Sequence, residues 1–250
     1  MTENNAILIT GASRGIGRAA ALLACVRGWS VGVNYLHDED SAHEVVEAIA
    51  RAGGKAVALR GDVADEDDVV AMFEGATRAL GPLRGVVANA GIVAPTARLV
   101  DMSAERMRRV FEVNILGAYL TAREAARRMS RSLGGAGGSM VLISSAAARL
   151  GSPGLYVDYA GSKGAIDTLT LGLAKELAPE GVRVNAIRPG LIDTEIHANG
   201  GEPDRALKLG AATPLGRPGT AEEVAEAIIW LLSDAACYVT GAILDVAGGR

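Results

Sequence analysis

The sequence contains few cysteines, few histidines and no excess of positive charge, and each shortage excludes a class of protein. Only 2 of its 250 residues are cysteine and 3 are histidine. Cys25 and Cys237 cannot form a multi-disulfide framework, and the histidines show no ligand spacing, so we predict no metal site. The formal net charge of −4 argues against nucleic-acid binding, which needs a strong positive field.

The sequence also lacks a recognisable membrane segment or export signal. The apolar run from Ala19 to Val26 is too short to span a bilayer, and Arg18 and Arg27 bracket it. The first residues carry no basic region and lead directly into a predicted strand, so we predict no signal peptide. We therefore expect a cytoplasmic protein without membrane partners.

What is present is an alternation of short β-branched runs with longer helical patterns, which is typical of βαβ units. We predict the α/β class: one domain over 1–250 with a Rossmann fold, a doubly wound parallel sheet with helices on both faces. The seven predicted strands are Ala6–Thr10, Ser30–Tyr35, Lys55–Asp62, Leu83–Ala90, Ser139–Ser145, Arg183–Arg188 and Ala242–Val246. The predicted helices lie near 15–27, 41–51, 65–80, 103–131, 156–178 and 221–232.

Local chemistry supports some of these boundaries and marks one irregular segment. Thr220 followed by Glu223 forms a capping-box pattern, and Asp65 can cap the third helix. The segment 195–216 is rich in glycine and proline and follows the sixth strand. At this position of an open α/β sheet we expect a lid over a bound ligand.

The first predicted strand leads into a glycine-rich turn and then directly into a helix. The turn reads Thr-Gly-Ala-Ser-Arg-Gly-Ile-Gly over 10–17. Its glycines let backbone N–H groups approach a phosphate closely, and the helix N-terminus adds a partial positive charge. Because strand, turn and helix occur in this order, we predict a dinucleotide phosphate site rather than a plain turn. The predicted contact residues are Gly11, Ser13, Arg14, Gly15, Ile16 and Gly17.

Further motifs follow the turn along the chain. They are Asp62-Val63, Asn89-Ala90-Gly91, Asn114, Ser145, Tyr159-xxx-Lys163, Asn185 and Pro189-Gly190. Together with the Gly-xxx-Gly-x-Gly turn, this set resembles the short-chain dehydrogenase/reductase family over nearly all 250 residues. The resemblance implies an enzyme that transfers hydride between a nicotinamide dinucleotide and a carbonyl or a secondary alcohol.

The predicted acid/base is Tyr159. Tyr159 and Lys163 stand four residues apart in a predicted helix and therefore share one face. An ammonium beside a phenol favours the phenolate and lowers a pKa that is otherwise near 10, so we expect proton transfer close to neutral pH. Tyr156 is the nearby competitor, but Ala160 takes the place of its cationic partner.

A serine and an asparagine complete the predicted catalytic set. Ser144 and Ser145 point to opposite faces of a strand, so only one of them faces the site; alignment with the motif selects Ser145 to polarise the substrate oxygen. Its separation of 14 from Tyr159 is one longer than in many family members and leaves the choice between the two serines open. The resemblance implies that Asn114 supports a helix distortion and a water-linked proton relay to Lys163.

The resemblance also implies where the coenzyme is held. The Asp62 side chain and the Val63 backbone would meet the adenine, and Lys163 would reach the nicotinamide ribose. The backbone of Ile192 would hold the carboxamide, and Thr194 would bond it or a phosphate. The full set of predicted coenzyme contacts beyond the phosphate turn is Asn34, Asp62, Val63, Asn89, Ala90, Gly91, Tyr159, Lys163, Pro189, Gly190, Ile192 and Thr194.

The choice of nicotinamide is a question of charge. The second strand ends in Asn34-Tyr35 without the carboxylate that usually holds a 2′-hydroxyl, and Arg14 stands in the phosphate turn. We therefore predict preference for NADP. The acidic stretch Asp38-Glu39-Asp40 follows closely and would weaken that preference, so use of NAD as well stays open.

The sequence leaves the substrate open. The resemblance is shared between glucose-1-dehydrogenase-like and 3-oxoacyl-(acyl-carrier-protein)-reductase-like proteins. It implies a homotetramer with contacts through the predicted helices 103–131 and 156–178 and the C-terminal strand. Six residues could line a polar substrate site or be solvated loop residues: Arg149, Asp158, His197, Glu202, Asp204 and Arg205. A non-catalytic NADP-binding sensor or a scaffold on the same fold is the alternative function.

Overall fold

A computed structural model of the protein describes residues 5–195, 200–202 and 204–250. It contains one parallel sheet of seven strands in the order β3-β2-β1-β4-β5-β6-β7. The strands are β1 Ala6–Ile9, β2 Ser30–Tyr35, β3 Ala56–Arg60, β4 Leu83–Ala88, β5 Gly138–Ile143, β6 Val182–Pro189 and β7 Ile243–Val246. The predicted doubly wound parallel sheet is therefore confirmed.

The helices cover both faces of this sheet. The longer ones are α1 Gly15–Val26, α2 Glu39–Arg51, α3 Glu66–Leu80, α4 Ala104–Phe111, α5 Gly117–Met129, α7 Val157–Leu177 and α9 Ala221–Leu232. Two shorter helices, α6 Ala147–Leu150 and α8 Arg205–Gly210, lie at the edge of the sheet where the strands end. Along the described ranges, no helix combines the length and the apolarity needed to cross a bilayer.

Strand β1 shows why the sheet needs both helical layers. All four of its side chains are 0% exposed. Leu8 packs into the cluster formed with α3, α5 and α7, whereas Ile7 and Ile9 pack into the cluster formed with α1, α2 and α9. A strand that is buried on both faces reads as a continuous apolar run, as this one does.

The helix starts follow the predicted capping chemistry. The Asp65 side chain accepts a hydrogen bond from the backbone N–H of Asp68 at 3.0 Å and caps α3. Thr220 and Glu223 form the reciprocal capping box of α9, with both hydrogen bonds present. Both capping predictions are confirmed.

The predicted helix over 103–131 is interrupted in the middle. It consists of α4, a π-helical turn at Glu112–Leu116, and α5. The irregular turn is centred on Asn114, the residue whose amide competes with helical hydrogen bonds. The short helices α6 and α8 were not predicted, because four to six residues are too few for a periodic pattern to appear.

The sheet brings the sequence motifs to one edge. Strand order reverses between β1 and β4, and a ligand crevice forms outside the carboxyl ends of the strands at such a point. Gly11, Asn89, Ser145 and Gly190 follow the carboxyl ends of β1, β4, β5 and β6. The lid predicted over 195–216 includes 196–199 and 203, which lie outside the described residues, and it stays a prediction.

Replacement of the α3 cap tests the local account of helix formation. We expect Asp65→Ala to lower the free energy of unfolding by about 1 kcal/mol, because an orphan backbone N–H loses its acceptor. Asp67→Ala is the matched control, since Asp67 is an exposed acid in the same first turn that does not cap the helix. Urea unfolding of the two variants measures the difference; equal losses would contradict the capping role.

Candidate active site

The glycine turn after β1 has the geometry of a phosphate cradle. Gly11 and Gly15 have φ values of +60° and +54°, in the left-handed region that favours glycine. A Cβ on Gly17 would lie 2.3 Å from the carbonyl oxygen of Gly11, so helix α1 meets the turn without room for a side chain. Asn89 braces the turn, because its Nδ2 donates to the carbonyl oxygens of Thr10 and Gly11 at 2.8 and 3.0 Å.

The start of α1 fits an anion. Arg14 is the N-cap and makes no side-chain capping bond, and the first turn, which is described in full, contains no acid. The backbone N–H groups there and their partial positive charge are therefore not neutralised by the helix itself. A Cβ on Gly15 would lie 3.6 Å from Thr194 Cβ, so the turn faces a residue predicted to contact the coenzyme.

Asn34 lies beneath the turn and supports it. The side chain is 2% exposed, and its Oδ1 accepts from the backbone N–H of Gly11 at 3.0 Å. Its Nδ2 donates to the carbonyl oxygens of Leu59 and Gly61 at 3.1 and 3.0 Å. The Asn34 amide therefore fixes β1, β2 and β3 to one another. From the sequence, this position was notable only because it carries no acid. Direct contact of Asn34 with the coenzyme stays a prediction.

At the end of β3, Asp62 makes a local turn and an ion pair. Its Oδ1 accepts from the backbone N–H of Ala64 at 2.9 Å, and its Oδ2 lies 3.3 Å from Arg109 Nη2. The neighbouring Val63 packs against α5, where a Cβ on Gly117 would lie 2.7 Å from Val63 Cγ2. Asp62 therefore braces the turn before α3, and its contact with adenine stays a prediction.

Helix α7 places Tyr159 and Lys163 on one face. Lys163 is 4% exposed, and its Nζ lies 5.7 Å from the centroid of the Tyr159 ring. The ammonium donates a hydrogen bond to the carbonyl oxygen of Ile143, the last residue of β5, at 2.7 Å. This bond fixes the side of α7 that carries both residues against the carboxyl edge of the sheet.

The two candidate serines have different surroundings. Ser144 is 1% exposed, and its Oγ donates to the carbonyl oxygen of Lys163 at 3.0 Å. Ser145 is partly exposed, accepts from the backbone N–H of Ala147 at 3.1 Å, and its hydroxyl interacts with the Tyr159 phenol. Ser144 therefore holds the backbone of α7, and Ser145 is the serine beside the phenol.

Asn114 joins three elements at the π-helical turn. Its Oδ1 accepts from the backbone N–H of Ile92 at 2.8 Å, and its Nδ2 donates to the Ile92 carbonyl oxygen at 2.9 Å. Nδ2 also donates to Ser162 Oγ at 3.1 Å. The side chain is 1% exposed and is satisfied on both sides. Asn114 therefore links the segment after β4 to α7. Its part in a proton relay stays a prediction.

The acid–base balance of the pair differs from the sequence-based expectation. Burial raises the pKa of Tyr159 to about 12, although the Ser145 hydroxyl opposes the rise. Burial also lowers the pKa of Lys163 to about 8, against the opposing effect of Asp167. Burial therefore has the larger effect on the tyrosine pKa, and the lowering of that pKa by Lys163 stays a prediction. Nζ lies over the ring and bonds to Ile143, so desolvation is the larger effect.

These groups open into one cavity of about 420 Å³. Among the predicted catalytic and coenzyme residues, those that line it are Ile16, Asn89, Gly91, Ser145, Tyr159, Lys163, Pro189, Gly190, Ile192 and Thr194. Tyr156, rejected as the acid/base, also lines the cavity, and its ring stands perpendicular to that of Tyr159 with centroids 6.0 Å apart. Arg250 also lines the cavity, and no motif in the sequence indicates it.

Five of the six candidate polar residues fall into three groups. Glu202 and Arg205 line the cavity. Asp158 is 4% exposed and forms a buried ion pair with Arg106 at 2.9 Å. Arg149 and Asp204 pair elsewhere, with Asp245 at 3.4 Å and Lys208 at 3.8 Å. His197 lies outside the described residues.

Removal of the buried ammonium tests its electrostatic cost. Because the pKa of Lys163 falls from 10.5 to about 8 on folding, the unfolded chain binds the proton more tightly. The stability of the wild type should therefore rise relative to Lys163→Met as pH increases from about 8 to 10.5, by up to about 3 kcal/mol. Lys175→Met, on the exposed side of α7, is the control. Denaturant unfolding across this pH range measures the difference, and parallel pH curves would refute the burial argument.

Comparison with known proteins gives a consistent assignment. Residues 11–250 match the family model described as Enoyl-(Acyl carrier protein) reductase. The uncharacterized oxidoreductase YgfF of Escherichia coli is 53% identical over 243 residues, which cover 97% of this chain and 98% of that protein. The L-rhamnose 1-dehydrogenase (NAD(P)(+)) of a Sphingomonas species is 39% identical over 250 residues, covering 100% and 97%.

Solved structures give the same result in three dimensions. A double mutant of a Serratia marcescens short-chain dehydrogenase/reductase superposes with a TM-score of 0.89 at 32% identity, covering 98% of this chain and 97% of that one. This level of identity over whole chains extends the likeness beyond the fold alone. The glycine turn, the Tyr159–Lys163 helix and these likenesses together make the chain an oxidoreductase of the short-chain dehydrogenase/reductase family.

Proposed function

We propose that the protein is an NADP(H)-dependent oxidoreductase that interconverts a carbonyl and a secondary alcohol, with Tyr159 as the acid/base. One observation carries the proposal: Ser145, Tyr159 and Lys163 line the same cavity as Ile16 of the phosphate turn and residues of the segment after β6. A sensor or a scaffold would not need a phenol, a hydroxyl and an ammonium to converge there.

Ser145 and Tyr159 would act on the substrate oxygen. In reduction, the Ser145 hydroxyl donates a hydrogen bond to the carbonyl oxygen, and the Tyr159 phenol gives that oxygen its proton. Because burial raises the pKa of Tyr159 to about 12, the phenol is protonated at neutral pH and ready to act as an acid. Oxidation needs the phenolate, so it becomes easier as pH rises.

Lys163 and Asn114 would support the proton transfer indirectly. A pKa of about 8 lets Lys163 exchange a proton with water close to neutral pH. Asn114 holds the backbone of Ile92 on one side and Ser162 on the other, so it fixes α7 relative to the segment after β4. We propose that Asn114 helps to resupply the proton through the segment after β4.

The residues present fit a nicotinamide dinucleotide. The glycines let the start of α1 pack closely against the end of β1, where its backbone N–H groups can face a pyrophosphate, and Pro189, Gly190, Ile192 and Thr194 line the cavity. Val63 and Asp62 would border the adenine, and Lys163 would reach the ribose. When bound, the nicotinamide supplies the hydride acceptor or donor.

The proposed preference for NADP depends on the acids near the end of β2. Arg14 is exposed and free of an acidic partner in its own turn. Asp38 uses its side chain to cap α2, accepting from the backbone N–H of Ser41 at 3.2 Å. Glu39 lies 3.7 Å from His43 on the same helix. Both carboxylates are thus engaged with α2, although Asp38 also interacts electrostatically with Arg14, so a 2′-phosphate would compete with Asp38 for this arginine.

We further propose a cytoplasmic homotetramer that acts on a small carbonyl or alcohol. Phe111, Leu116 and Tyr119 along α4, the π-helical turn and α5 are 39%, 46% and 43% exposed, which supports burial of this surface between subunits. The names of the L-rhamnose 1-dehydrogenase and of the Bacillus subtilis glucose 1-dehydrogenase 2, which is 38% identical over 242 residues, favour a sugar-like substrate.

Removal of the phenolic hydroxyl tests the assignment of the acid/base. We expect Tyr159→Phe to lower kcat by about 10²–10⁴-fold, because proton transfer to the substrate oxygen is lost. Coenzyme affinity, measured by quenching of NADPH fluorescence, should change little. Tyr238→Phe is the control, since Tyr238 is fully exposed. Turnover within tenfold of the wild type in Tyr159→Phe would disprove the role.

Charge removal at the phosphate turn tests the choice of coenzyme. We expect Arg14→Ala to raise the KM for NADP about tenfold or more and to leave the KM for NAD nearly unchanged, because only NADP carries the 2′-phosphate. Arg18→Ala removes an exposed arginine one turn later in α1 and serves as the control. Clear preference of the wild type for NAD in initial rates would contradict the proposal.

A further inference from the structure

The cavity beside Tyr159 has one polar corner. Tyr156, Glu202 and Arg205 lie together there, whereas Val93 and Leu155 are among the apolar residues that line the same cavity. None of the three polar residues has a part in the proton transfer or in the coenzyme site proposed above. Polar groups placed in a largely apolar cavity fix the orientation and the identity of a ligand.

Arg205 is held in a single orientation. Its guanidinium carbon lies 5.2 Å from the centroid of the Tyr156 ring, and its Nη1 donates to Glu202 Oε2 at 2.8 Å. The residue is 9% exposed, at the first position of α8. Stacking on a ring and pairing with a carboxylate use the planar shape of the guanidinium, so the corner is formed before a substrate arrives.

Glu202 is the more accessible partner of this pair. Its side chain is 42% exposed, against 10% for Arg205. A group that enters the corner therefore meets a carboxylate that already has one cationic partner. A hydroxyl can donate to that carboxylate, whereas a second anion would be repelled by it.

The corner is close to the reacting centre. The Tyr156 ring stacks on Arg205 and stands perpendicular to the Tyr159 ring, with the two ring centroids 6.0 Å apart. A substrate whose oxygen reaches Tyr159 would place neighbouring substituents on the Tyr156 side of the cavity, which Arg205 and Glu202 also line. The group selected is therefore one attached next to the reacting carbon.

We propose that Tyr156, Glu202 and Arg205 form a specificity subsite that binds a hydroxyl group adjacent to the reacting carbon of a neutral substrate, with Glu202 as the acceptor. The inference rests on the proposed function for the reaction, but recognition at this corner is separate from hydride transfer. The competing occupant is an anionic substituent held by Arg250, which also lines the cavity.

Three alcohols that share a six-membered ring separate these occupants. Initial rates with NADP are measured for cyclohexanol, cis-1,2-cyclohexanediol and cis-2-hydroxycyclohexanecarboxylate. We expect kcat/KM of the diol to exceed that of cyclohexanol by about tenfold or more, because a hydrogen bond to a charged acceptor is gained. The carboxylate should be the poorest of the three.

Substitution of the acceptor assigns the effect to a residue. Glu202→Gln keeps the size of the side chain and removes its charge, so the KM for the diol should rise about tenfold with little change in kcat. The KM for cyclohexanol should stay the same. Glu74→Gln, on an exposed position of α3, is the matched control. A loss in Glu202→Gln that is equal for all three alcohols would indicate a structural role and overturn the subsite.

A binding measurement keeps the subsite and the reaction distinguishable. The shift in melting temperature caused by the diol is recorded for wild type and Glu202→Gln in the presence of NADP. If no alcohol is oxidised but the diol stabilises only the wild type, the subsite stands and the proposed reaction fails. If turnover occurs without preference for the diol, or with preference for the carboxylate, the subsite is wrong and the reaction stands.

Discussion

The site depends on the hydrogen bond between Lys163 Nζ and the carbonyl oxygen of Ile143. This bond connects α7 to the carboxyl end of β5. The donor is the Lys163 ammonium, which burial makes costly to charge. A buried ammonium with one strong acceptor has little freedom to move. The orientation of Tyr159, one helical turn earlier, and the approach of Ser145 at the end of β5 both follow from that fixed contact.

The same region shows how neutral hydrogen bonds prepare a site for a charged ligand. Asn34, Asn89 and Asn114 each connect separate elements through a side-chain amide; those of Asn34 and Asn114 both donate and accept, and that of Asn89 donates twice. Amides satisfy backbone groups without adding a net charge, so they stiffen the turns that surround the crevice without competing for a phosphate. Carboxylates in those places could not donate to the backbone carbonyl oxygens, and their charge would repel the coenzyme.

Much of the fold and of the site could be predicted from sequence because the determining signals are local. Continuous apolar runs such as β1 identify doubly covered strands, and the pairs Asp65–Asp68 and Thr220–Glu223 place helix starts. The spacing of Tyr159 and Lys163 requires only helical geometry to bring them together. The glycine turn is recognisable because its backbone conformation excludes side chains.

What could not be predicted depends on residues distant in sequence. The rise in the Tyr159 pKa follows from how the folded chain packs around the phenol, which no local pattern encodes. Asp158 appeared to be a candidate for a polar site, and only the fold brings Arg106 across to neutralise it. The corner formed by Tyr156, Glu202 and Arg205 likewise joins the start of α7 to α8. Tyr156 is far from the other two residues in the sequence, and no local pattern indicates the contact.

The π-helical turn at Glu112–Leu116 has a consequence for how this region tolerates length changes. A turn of this kind holds one residue more than an α-helical turn, and it absorbs that residue without the rotation of about 100° that one more α-helical residue would impose. Loss of a single residue here would therefore leave a regular helix whose two halves keep their faces. It would remove the wide turn from which Asn114 bonds to Ile92 and Ser162, so helical regularity and these contacts are opposed at this point of the chain.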